Sequence, residues 1–114
     1  MRARLAVTAC FGLLVLAAPA AAQMSVTERG AAIAAKQCAR CHSIGPTGAS
    51  PMSLAPPFRD LSKRYPISNL AEAFAEGIVT GHPAMPRFTF EPREISALLA
   101  FIDSLGSSEP SRKR

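Results

Sequence analysis

A chain of 114 residues with 13 basic and eight acidic side chains has room for one domain. Three cysteines are too few for a dense disulfide framework. The formal net charge of +5 is weak support for a nucleic-acid binder, because the excess sits at the two ends. Arg2 and Arg4 open the chain and Arg112, Lys113 and Arg114 close it, while the charges of residues 23–111 balance.

The N-terminal stretch reads as a secretory signal peptide over residues 1–22. Met1 to Arg4 is a short basic region, Leu5 to Leu16 is apolar, and Ala20-Ala21-Ala22 supplies the small residues of an A-x-A cleavage site before Gln23. The competing reading, an uncleaved anchor, is disfavoured because the apolar run falls short of the ~20 residues that span a bilayer comfortably. Cys10 comes too early to be a lipoprotein site. Cleavage would leave 92 residues (114 − 22), a size at which a single core usually needs a staple. The domain expected from this reading covers residues 23–106, with 107–114 as a flexible basic tail.

Ser25-Val26-Thr27-Glu28 is a capping box and predicts a helix start. Alanines and Ile33 carry that helix towards Cys38. Gly30 costs about 1 kcal/mol relative to Ala inside a helix, and such a glycine is either tolerated or marks a close approach.

The helix leads into Cys38-Ala39-Arg40-Cys41-His42, which reads C-x-x-C-H, the attachment signature of c-type haem. Two thiols three positions apart can add across the two vinyl groups of one porphyrin, and the adjoining imidazole is then tethered beside the iron. With the leader removed, Cys38 and Cys41 are the remaining cysteines. In an oxidising compartment a free pair of this kind tends to close on itself unless thioether bonds consume the thiols.

Ser43 to Pro57 is rich in Gly, Pro and Ser and predicts a loop along one side of the haem. A short helix is expected over Phe58 to Arg64, stopped by Pro66. Ser68 can cap a further helix carrying Leu70, Ala73 and Phe74, with Gly77 at its C-terminal end. Gly81 to Phe88 is a second loop, in which Pro83 and Pro86 stiffen the chain on both sides of Met85. Pro92 suits the first turn of a last helix. Its Ile95, Leu98, Leu99, Ile102 and Leu105 follow the helical period, with Gly106 ending it. No alternation argues for a sheet.

An iron held by His42 on one side needs a second axial group. Met85 and His82 are the choices. Met85 is favoured because thioether ligation raises the potential and the flanking prolines fix its approach. His82 is otherwise a surface or hydrogen-bonding histidine.

From Ser25 to Leu105 the chain resembles the class I monohaem cytochromes c. The resemblance rests on Cys38, Cys41 and His42, and on Met85-Pro86-Arg87-Phe88, which matches the M-P-x-F form of the distal loop. It implies an all-α fold of three to five helices around one covalently bound haem c, with His42 and Met85 on the iron. It also implies a proline carbonyl accepting the proximal imidazole N–H, with Pro56 the best match and Pro57 the rival. Gly30 falls where the family crosses its first and last helices, opposite Leu98 and Phe101. Two departures stand out. Ala34 replaces a frequent aromatic, and no tryptophan is available to bond a haem propionate, a role that would pass to His82 or Arg59.

The function implied is a periplasmic one-electron carrier, an electron-transfer protein rather than an enzyme, meeting donor and acceptor proteins through small transient surfaces. The alternative is a dedicated electron-accepting subunit of a periplasmic dehydrogenase or oxidase. No nucleic-acid partner is expected, and no stable membrane insertion once the leader is removed. A thiol–disulfide oxidoreductase lacks the βαβ pattern such a motif requires. A zinc site built on Cys38, Cys41, His42 and His82 lacks a second ligand pair at short spacing.

Overall fold

Ser25 starts the first helix, α1 (Val26–Gln37). Its hydroxyl accepts the Glu28 backbone N–H at 3.1 Å, and Glu28 Oε2 accepts the Ser25 N–H at 2.7 Å. These two bonds satisfy amides that a helix start otherwise leaves unpaired. The bond from the Ser25 backbone, with that from its hydroxyl, holds the Glu28 carboxyl below its ordinary value. The computed structural model describes residues 23–77 and 84–107.

A single 3-10 turn (Phe58–Asp60) runs directly into α2 (Leu61–Arg64), and α3 (Asn69–Glu76) and α4 (Pro92–Ser107) follow. The fold is all-α, and no strand occurs among the described residues. The fourth helix is the hub, packing on α1, the 3-10 turn, α2 and α3. Its Leu98 and Ile102 are fully buried, and with Ile95 they meet Ala34, Phe58, Leu61 and Phe74 in one apolar core. No helix among the described residues is long and apolar enough to cross a membrane.

The terminal helices cross at Gly30. A Cβ built there would lie 2.6 Å from the Ala97 carbonyl carbon and 2.8 Å from Phe101 Cβ, so the glycine is required by a backbone-to-backbone approach. The Ala97 backbone, rather than the expected Leu98, pairs with Phe101 in that contact. Ala97 and Phe101 lie one turn apart and form a ridge with a small residue at the crossing, while Leu98 points into the core.

Two local expectations are corrected. Ser68 occupies the N-cap position of α3 without making a cap bond. The first amides of that segment bond to the carbonyls of Pro66, Ile67 and Ser68 at 3.0–3.1 Å, so the turn begun at Pro66 already satisfies them. Gly106 does not end α4, which runs on to Ser107. It is the point where α4 touches α2, since a Cβ there would run into the Ser62 hydroxyl and sit 3.1 Å from Ser62 Cβ. The expected leader (1–22), the remainder of the tail (108–114) and His82 lie outside the described residues.

Candidate functional site

The C-terminal end of α1 folds directly into the C-x-x-C-H turn. The Cys38 and Ala39 amides donate to the Ala34 carbonyl at 2.8 and 2.9 Å, and the Cys41 and His42 amides donate to the Cys38 carbonyl at 3.1 and 2.9 Å. One tight turn therefore carries both thiols and the imidazole. Cys38 is buried beside the core and Cys41 is half-buried. Burial pushes the Cys38 thiol up to about 11. That direction is opposite to the lowered thiol of a working C-x-x-C redox site.

The loop from Ser43 to Pro57 returns to this turn. Pro56 O lies 2.7 Å from His42 Nδ1. A proline carbonyl can only accept, so Nδ1 carries the proton and the neutral ring keeps its lone pair on Nε2. The Phe58 amide donates to the Ser43 carbonyl at 2.9 Å, and the Phe58 ring tilts against the His42 ring with centroids 5.2 Å apart. The imidazole is thus held by the Pro56 carbonyl at Nδ1 and by the Phe58 ring, and Nε2 is left as a free donor atom. Pro56, rather than Pro57, faces the ring.

The other expected ligand sits in a different part of the chain. Met85 is half-buried in a bend just before Pro86. The base of its loop is closed by Gly77, whose φ of +83° suits glycine and which packs under the Arg87 side chain: a Cβ there would lie 3.0 Å from Arg87 Cγ. Beyond the loop, Phe88 stacks on Phe90 at 5.7 Å, and Phe90 meets Phe74 edge-on at 5.6 Å. The other methionines of the described residues are more exposed, Met52 at 38 % and Met24 at 54 %. No group of three or more His, Cys, Asp or Glu side chains able to hold a metal ion occurs among the described residues. A free imidazole Nε2 beside two thiols on one turn, next to an apolar core, is a donor set suited to a tethered haem and poor for zinc.

Arg59 does something the sequence did not signal. Its guanidinium donates to Ser43 Oγ at 3.1 Å, to Gly45 O at 3.3 Å and to Gly48 O at 2.6 Å. These bonds tie it to the loop that follows the attachment turn.

Residues 27–106 match the family model described as cytochrome c. The chain belongs to the cytochrome c family. It is also 29 % identical over 96 residues to a cytochrome c-552 of Bradyrhizobium diazoefficiens, an alignment covering 84 % of this chain and 90 % of that protein. No solved structure matches it. The family places one covalently attached haem c in a small all-α electron-carrier domain, and the all-α architecture here agrees.

Proposed function

We propose that this cytochrome c is exported to the periplasm and carries single electrons through one haem whose iron is held by His42 and Met85. In this reading residues 1–22 are a cleaved leader, residues 23–106 are the working domain, and Cys38 and Cys41 form the thioether bonds. The haem supplies the one-electron couple. The chain's work is to hold, orient and dry it. The observation that carries the reading is the 2.7 Å approach of Pro56 O to His42 Nδ1, on a turn that also holds both cysteines. Such a bond fixes the tautomer, aims Nε2 and raises the basicity of the ring as a ligand. Met85 is supported by its Pro-flanked loop, the Gly77–Arg87 closure and its partial burial. With both axial positions filled by protein, no site is left for a substrate on the iron, which suits a carrier.

The test is mass spectrometry of the exported protein with visible spectra of its oxidised and reduced forms. The expected result is a chain beginning at or near Gln23, heavier than its polypeptide by one haem, with colour that acidified solvent does not extract. A mass equal to the bare polypeptide would overturn the covalent site, and a mature N-terminus at Met1 would overturn the cleavage.

A further inference from the structure

Arg59 turns its donors inward on the loop that follows the haem-attachment turn. Its two terminal nitrogens reach Ser43 Oγ, Gly45 O and Gly48 O. Among the described residues no carboxylate pairs with it. Its neighbour Asp60 is bonded to Lys63 at 3.1 Å. The loop is wound around the guanidinium. Ser43 N donates to Ser50 Oγ at 3.0 Å, Ser43 Oγ donates to Thr47 O at 3.3 Å, and Gly48 reverses the chain with a φ of +90°. A planar fork with five donors suits several fixed oxygens at once, and a lysine ammonium does not.

The position of this clamp gives it a consequence for the site. Ser43 is the residue after His42, and Arg59 is the residue after Phe58. The two segments are joined by the bond from Phe58 N to Ser43 O at 2.9 Å and by the His42 Nδ1–Pro56 O approach at 2.7 Å. Arg59 adds the tie from the far end of the loop to its beginning, through the Ser43 hydroxyl. We propose that Arg59 is a positioning residue for the proximal imidazole: by holding Ser43, Gly45 and Gly48 it sets the strength of the His42–Pro56 hydrogen bond, and through that bond the redox potential. The inference rests on the reading of His42 as an iron ligand. A strong bond to Nδ1–H makes the ring a better electron donor and stabilises the ferric state. Slackening it therefore raises the potential.

Arg59→Lys is the decisive variant, because it keeps the positive charge and removes the fork. Two quantities are measured on the full haem-loaded protein: the midpoint potential, and the exchange rate of the His42 Nδ1–H proton by NMR in the reduced state. In the parent, ring-current-shifted His42 protons are expected, as for an imidazole held on a low-spin iron. Their absence would sink the ligand assignment and the inference with it. In Arg59→Lys the potential is expected to rise and the Nδ1–H proton to exchange about tenfold faster, the factor that ~1.4 kcal/mol of lost protection gives. An unchanged potential and unchanged Nδ1–H exchange, with shifted His42 protons in the parent, would overturn the role of Arg59 alone. Faster exchange of the loop amides or an earlier melt would not restore that role. Ser43→Ala removes one acceptor of the clamp and should move both quantities the same way by less. It decides the question if Arg59→Lys does not fold.

Discussion

Replacing Gly30 with alanine tests how α1 and α4 hold each other. The added methyl would begin 2.6 Å from the Ala97 carbonyl carbon and 2.8 Å from Phe101 Cβ, whereas ordinary Cβ contacts begin at 3.4 Å. The Ala97 carbonyl oxygen is nearer still, so the helices must part by more than ~0.8 Å at the crossing. Neither obstacle is the free end of a flexible side chain, so neither can swing aside. Overpacking of this kind costs about 1–3 kcal/mol. Alanine's better helix propensity returns about 1 kcal/mol of that. The separation also loosens Ala34 and Leu98, both fully buried beside the crossing, which places the net loss at ~1–2 kcal/mol. For a domain of this size that corresponds to a fall in melting temperature of about 4–16 °C. Reversible denaturant and thermal melts of the ferric haem-loaded protein measure it. Gly45→Ala is the control, because the nearest atom to a Cβ there is 3.7 Å away. A Gly30→Ala protein as stable as its parent, or one that loses no more than Gly45→Ala, would refute the close crossing.

Three further outcomes are expected. Leu98→Ala should cost about 2–5 kcal/mol in the same melts, since the side chain is fully buried at the centre of the core and its removal leaves a cavity. Gly77→Ala should weaken the Met85 loop, because the backbone there has φ +83° and the Arg87 stem lies against it; a higher rate of cyanide binding to the ferric protein would report the loosened loop, and an unchanged rate would argue against the closure. Glu28→Gln should flatten the acid limb of the stability profile. The folded Glu28 carboxyl titrates below its unfolded value, so its contribution is present above the unfolded pKa and is lost as pH falls through the folded one. Identical pH profiles for parent and variant would remove that contribution.

The parts of the fold legible in the sequence were those fixed by neighbours in the chain. The Ser25–Glu28 box involves residues three apart, and both of its bonds form. The apolar period of α4 likewise identifies Ile95, Leu98 and Ile102 as core. Features that depend on distant partners were less legible. Gly30 signalled a close approach, but which residue of α4 it meets depends on the rotation of that helix, and Ala97 replaced Leu98. Gly106 looked like a helix stop because glycine has that local meaning; its reason is Ser62 on another helix. Ser68 looked like a cap because the carbonyls of the preceding turn are invisible in a string of residues. In the site, spacing alone joined Cys38, Cys41 and His42, while Pro56 was preferred to Pro57 only through the family resemblance, because which carbonyl meets the ring depends on the path of the whole loop. The loop contacts of Arg59 offered no signal, since its partners are a serine hydroxyl and two backbone carbonyls.

The pairing of His42 with Met85 on the iron is tested most directly by the ferric near-infrared spectrum of three proteins: the parent, Met85→Ala and His82→Ala. A methionine sulfur bound to ferric haem gives a weak charge-transfer band there in the class I cytochromes c. The expected result is a band in the parent and in His82→Ala, and its loss in Met85→Ala together with a lower potential, because the sulfur favours the reduced iron. A band that survives Met85→Ala and disappears in His82→Ala would contradict the assignment. A band that survives both would move the ligand to Met52 or Met24.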